Sequence, residues 1–121
     1  MPPHDNVTMS VRDAGSSISI IDIKGEVTIY AENVLADAFT QASTKARAVI
    51  MNFTDLEYMN STGIGLLVTL LIRAQRQQVR LMACGLSEHY QQIFELTRLN
   101  EAILLFSTEA EALASLNTTH A

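Results

Sequence analysis

Tryptophan is absent from this chain of 121 residues, and aromatic side chains make up only 6% of it. Base-stacking platforms for single-stranded nucleic acid are therefore not expected. There is one cysteine, Cys84, so no internal disulfide can form, which suits a reducing compartment. Two prolines and five glycines exclude collagen-like and low-complexity chains. Positive charge is also scarce: eight basic residues face thirteen acidic ones, a formal net charge of −5. Such a chain is repelled by phosphate backbones and anionic membranes. Arg73, Arg76 and Arg80 are its only basic concentration, and their spacing reads as a solvated helix face. The longest strongly apolar run, residues 63–72, is too short to cross a bilayer. No basic segment followed by an apolar one opens the chain, so a cytoplasmic location is expected.

What remains is a foldable composition. Apolar residues are 48% and charged residues 17%, and a mass of 13.3 kDa fits one domain. Roughly two-thirds of the unfolded surface is then buried, enough for a core without metal or disulfide. The expected unit spans residues 1–121, with an ordered core over about 7–116.

Residues 7–11 alternate apolar and polar, and residues 18–24 are isoleucine-rich, so the spacing predicts a hairpin of two strands around the turn 13–17. A loop is expected over 26–30. Leu35, Ala38, Phe39 and Ala42 then mark a helix over 31–45. The apolar run 48–53 reads as a buried strand and 54–60 as a loop. In the helix expected over 62–77, Ile64, Leu67, Val68 and Leu71 share a face, broadened by Leu66, Leu70 and Ile72, which implies packing on more than one side. A strand at 79–83, a helix capped by Ser87 running to about 99, a strand at 103–106 and a helix capped by Thr108 follow. The tail 117–121 is expected to fray. The order implies an α/β fold with a mixed, mostly parallel sheet, an N-terminal hairpin and about four helices. Its functional face should lie at the carboxyl ends of the parallel strands.

Few residues carry chemistry. His4 and His120 lie in the ends, and His89 reads as solvent-facing. No Cys/His set has metal-ligand spacing, so no metal is expected. Cys84 reads as a small buried hydrophobe. Neither a phosphate loop nor a dinucleotide fingerprint is present. Asp55 follows a strand as a phosphoacceptor of a receiver domain would, but both lysines, Lys24 and Lys45, precede residue 46, which excludes that reading. No catalytic constellation is visible, so an enzyme is not expected.

The informative stretch is Tyr58-Met59-Asn60-Ser61-Thr62-Gly63-Ile64-Gly65. Ser61 or Asn60 can cap the apolar helix that follows. A phosphoryl group on a hydroxyl there would meet free N–H groups and the positive end of the helix. The stretch resembles the "F-M-D-S-[ST]-G-[IL]-G" signature of STAS-domain anti-sigma factor antagonists. Residues 20–27 (IIDIKGEV) resemble the family's strand ending in "G-E-[LV]-D", and 48–56 (AVIMNFTDL) its next strand. Residues 81–85 and 93–99 are similar to its later strand and "F-x-x-x-x-L" helix.

The resemblance implies a regulatory domain without cofactor. Its unphosphorylated form binds an anti-sigma factor, usually a serine kinase of the GHKL ATPase type, and frees a sigma factor; phosphorylation releases it. Carried over, Ser61 is the phosphoacceptor, with Thr62 as the alternative. Glu26, Thr28, Tyr30, Asn60, Ser61, Thr62, Gly63 and Ile64 form the partner-binding surface. Two departures from the pattern matter. Asn60 replaces the aspartate before the serine, and Thr28 the aspartate of "G-E-[LV]-D". A constitutive accessory or scaffold subunit, in a stress-sensing complex or a lipid-transport ABC system, is the competing implication.

Overall fold

The computed structural model describes residues 6–117; the expectations for His4, His120 and the tail beyond residue 117 lie outside them. Strands β1 (Val7–Asp13) and β2 (Ile18–Val27) form the expected antiparallel hairpin, with Val7 opposite Gly25. There follow α1 (Glu32–Ser43), β3 (Ala48–Met59), α2 (Ser61–Arg76), β4 (Arg80–Cys84), α3 (Glu88–Leu96), β5 (Leu104–Phe106) and α4 (Glu109–Asn117). The five strands lie in the order β1-β2-β3-β4-β5, and every pairing after the first is parallel. This is the α/β architecture with a mixed sheet that the hydrophobic pattern implies.

Burial explains the layering. Alternation in β2 and the continuous apolar run of β3 place residues on both sheet faces. One face carries Ile21, Ile23, Met51 and Phe53 under α1, α2 and α3, which bring Phe39, Leu67 and Phe94. The other carries Ile18, Ile20, Ile50 and Met82 under α4 alone, through Ala112.

On that second face a polar chain crosses the strands. The Arg12 guanidinium bonds both Asp22 oxygens and both Glu109 oxygens, tying α4 to the sheet. Asn52 Nδ2 donates to Asp22 at 2.8 Å, while Asn52 Oδ1 accepts from Thr54 and from Cys84 Sγ. Burial pushes the Cys84 thiol up to about 11, in keeping with an inert, packed cysteine. Hydrogen bonds from Arg12, then Asn52, hold the Asp22 carboxyl below its ordinary value. A lowered carboxylate stabilises the fold above its unfolded pKa, near 4, and that stability is lost as pH falls through the folded value. Thermal melts from pH 7 to pH 2 should therefore show a shallower acid limb for Asp22→Asn than for wild type. Parallel loss in the two proteins would remove Asp22 as a source of acid sensitivity.

Three elements differ from the sequence expectation. Residues 54–59 are strand rather than loop, because β3 outruns β4 and continues against β2 as far as the Val27–Met59 pair, through two register shifts. Residues 26–30 are not a single loop: Glu26 and Val27 finish β2, and Ile29–Ala31 form a 3-10 turn. Helix α3 stops at Leu96, since Arg98 takes a left-handed backbone (φ 63°) before a second 3-10 turn at Leu99–Glu101.

The arginines also separate. Arg80 starts a strand, and Arg73 reaches across to α1, with its guanidinium 4.9 Å from the Phe39 ring centroid and bonded to Ala36 O and Thr40 Oγ1. They form no common helix face.

Candidate functional site

Asn60 lies in extended backbone and caps α2: its Oδ1 accepts the Gly63 N–H at 2.9 Å. The cap is thus taken by Asn60, and Ser61 becomes the first helical residue. Its side chain is exposed, and its hydroxyl has no hydrogen-bond partner among the described residues. No acidic residue stands in the first turn of α2, so the positive end of the helix is uncompensated. A free hydroxyl stands at an anion-favouring helix start.

The neighbouring turn is built by the same device. Thr28 Oγ1 accepts the Tyr30 N–H at 3.3 Å and caps the 3-10 turn. Asn60 and Thr28, which stand where the family pattern has aspartates, therefore both sit at capping positions. An amide or hydroxyl oxygen can accept a backbone N–H as a carboxylate does, so the local conformations survive while two negative charges are lost.

Gly63 joins the two segments. A Cβ placed there would lie 2.9 Å from Met59 Cγ and 3.0 Å from the Val27 carbonyl carbon, and closer still to that carbonyl's oxygen. Only glycine lets the first turn of α2 press onto the end of β2. Asn60 N–H donates to the same Val27 carbonyl at 3.4 Å. The chain entering the 3-10 turn and the start of α2 are thereby held together.

The sequence-predicted site residues fall into two groups. Ser61 and Thr62 are exposed, Asn60 and Thr28 partly so, and Tyr30 presents more than half of its surface. Glu26 is half-buried in β2 opposite Tyr58, Gly63 is buried, and Ile64 packs against the core. The latter group shapes the surface more than it forms it.

Three contributors lie outside the predicted set. Ile29 and Tyr58 are each 49% exposed near the ends of the two strands. Tyr90, on α3, accepts the Met59 N–H on its hydroxyl at 2.8 Å, two residues before Ser61. Aromatic content near the motif is a signal for Tyr58; nothing local signals a bond spanning 31 positions. Tyr90→Phe leaves the Met59 N–H without this partner. That should cost about 1 kcal/mol, or roughly 4 °C in Tm by calorimetry. An unchanged Tm would mean that the bond contributes nothing.

Val68 and Ile72 depart from the packing expected for the helix. They are 38% and 46% exposed, so α2 is covered on one side only, through Gly63, Leu67, Leu70 and Ala74. Gly65 is exposed too, and beyond its own stretch of helix a Cβ there would meet no atom within 4 Å. A glycine inside a helix costs about 1 kcal/mol relative to alanine.

A family model for the STAS domain matches residues 11–112, and the chain belongs to that family. An anti-sigma-B factor antagonist from Listeria monocytogenes is 26% identical over 107 residues, covering 88% of this chain and 94% of that protein. The crystal structure of an anti-sigma factor antagonist from Mycobacterium paratuberculosis has a TM-score of 0.78 at 18% identity, covering 96% of this chain and 97% of that one. The Bacillus cell fate determinant SpoIIAA in its phosphorylated form gives 0.70 at 20% identity, covering 90% and 99%. No helix among the described residues is long and apolar enough to cross a membrane.

Proposed function

We propose that this chain is an anti-sigma factor antagonist acting in the cytoplasm. Its unphosphorylated form binds an anti-sigma factor that is a GHKL-type serine kinase, and so frees a sigma factor. Phosphorylation of Ser61 by that kinase ends the complex. The chain itself contributes no catalysis and needs no cofactor: the kinase supplies the nucleotide and the base, and this protein supplies a hydroxyl.

The observation that carries the reading is the division of labour at the start of α2. Asn60 satisfies the Gly63 N–H, which leaves the Ser61 hydroxyl exposed and unengaged. A phosphate on that oxygen would sit where the helix dipole favours negative charge, so the modified domain keeps its fold. Thr62 is exposed beside it as a fallback acceptor.

The test is to titrate the chain against each anti-sigma factor of its source organism, then add ATP to any complex and map phosphate by mass spectrometry. One partner should bind, and phosphate should appear on Ser61 and be absent from Ser61→Ala. Equal phosphorylation of Ser61→Ala would remove Ser61 as the acceptor. A partner retained equally by wild type and Ser61→Asp would favour the constitutive accessory role.

A further inference from the structure

At the amino-terminal ends of the parallel strands, opposite the end that carries Ser61, the surface holds an open groove of about 640 Å³. Arg47 and Arg80, far apart in sequence, meet there. Ala48 and Arg80 are register partners, and the Arg80 N–H donates to the Arg47 carbonyl at 2.8 Å. The Arg47 N–H in turn donates to the Ser17 carbonyl at 2.8 Å, so both arginines stand on fixed backbone. Ser16, Ser17, Gln78 and Asn117 line the groove beside them. The rest of its lining is apolar, and no carboxylate borders it among the described residues. Ser17 (φ 62°) and Gln78 (φ 59°) hold left-handed backbone, which residues with side chains seldom adopt.

Charge sets this groove apart from the rest of an acidic chain. Arg12 and Arg98 are engaged in ion pairs, and Arg73 is bonded to α1. Arg47 and Arg80 are exposed and make no ion pair or side-chain hydrogen bond among the described residues. Like charges on neighbouring strands repel, and the fold places no acid in the groove to offset them. The helices present their carboxyl ends here, so an anion must be held by side chains. No aromatic ring lines the groove, which excludes a nucleobase stacked on one.

We propose that this groove binds the phosphomonoester of a small polyol, such as a sugar phosphate. A guanidinium meets phosphate oxygens in a bidentate fork, and two of them match a dianion. The hydroxyls of Ser16 and Ser17 and the amides of Gln78 and Asn117 both donate and accept, as sugar hydroxyls require. The site does not depend on the function proposed above.

The test is to titrate ribose-5-phosphate into the isotope-labelled full chain and follow backbone amide shifts by NMR. Inorganic phosphate, ribose and polyglutamate serve as separate probes, with melts of each variant in parallel. Saturable shifts should centre on residues 16–18, 47–48 and 78–80. Ribose-5-phosphate should bind at least about tenfold more tightly than inorganic phosphate, and ribose alone should not bind. Arg47→Gln and Arg80→Gln should each weaken it about tenfold or more with Tm held, since both side chains are exposed. Unsaturable shifts, shifts centred elsewhere, or equal binding by variants and wild type would overturn the site. A lowered Tm in the variants with binding unchanged would also overturn it, making the arginines partners of the α4 carboxyl end. Inorganic phosphate bound as tightly as ribose-5-phosphate would overturn the polyol assignment. Tighter binding of polyglutamate would make the groove a docking surface for an acidic protein and overturn the proposal.

Discussion

Replacing Gly63 by alanine should destabilise the fold by about 3 kcal/mol, a fall in Tm of roughly 10–15 °C. The added carbon would press into the Val27 carbonyl and stand 2.9 Å from Met59 Cγ. A side chain can rotate away, but a carbonyl inside a parallel ladder moves only with its strand. Val27 is 1% exposed and pairs with Met59, and its carbonyl also accepts from Asn60. The least costly response is for α2 to lift its first turn, which pulls Asn60 and Ser61 away from the Thr28 turn. Binding of the anti-sigma factor should then fall further than the loss of stability alone would bring. Melting and binding measured on the same preparation separate the two effects. A Gly63→Ala protein with wild-type Tm would contradict the packing described for this turn.

The second large effect is electrostatic and leaves the fold intact. Phosphate on Ser61 adds about −1.5 to −2 charges. Covered by a partner, that charge must shed water without a matched cation, a situation that typically costs about 2–5 kcal/mol at an interface. At 1.4 kcal/mol per decade, affinity should drop roughly 30-fold to several-thousand-fold. Ser61→Asp carries one charge and a flatter group, so it should reach the lower end of that range. Its Tm should hold or rise slightly, because an acid in the first turn of a helix is favourable. Lost affinity with an intact melt is the signature of a switch acting at the surface. Tight binding by a fully phosphorylated chain would exclude the mechanism.

Much of this was legible in the sequence. Helix α2 is announced by apolar spacing and by a capping residue ahead of it, and β2 by its run of isoleucines. The order of elements alone yields the mixed sheet. The second half of β3 was not legible, since Thr54, Asp55, Glu57 and Tyr58 neither alternate cleanly nor form an apolar run. Those residues are strand because β2 lies alongside them, a long-range partner that no local window contains. Val68 and Ile72 mark the opposite limit. Spacing says that a helix face is apolar, and it is silent on whether anything covers that face. At the site, the motif located Ser61, but the assignment of the cap to Asn60, and hence the free hydroxyl, required coordinates.

The overhang of β3 has a bearing on solubility. Past Asn52 it has no ladder neighbour on the β4 side among the described residues, and a bare margin of that kind is a template on which foreign strands can grow. This margin is blunted along its length. The Thr54 N–H is claimed by Asn52 and the Met59 N–H by Tyr90, while Asp55 and Glu57 place exposed carboxylates between them. The segment that delivers Ser61 to the surface thus carries its own guard against fibrous growth.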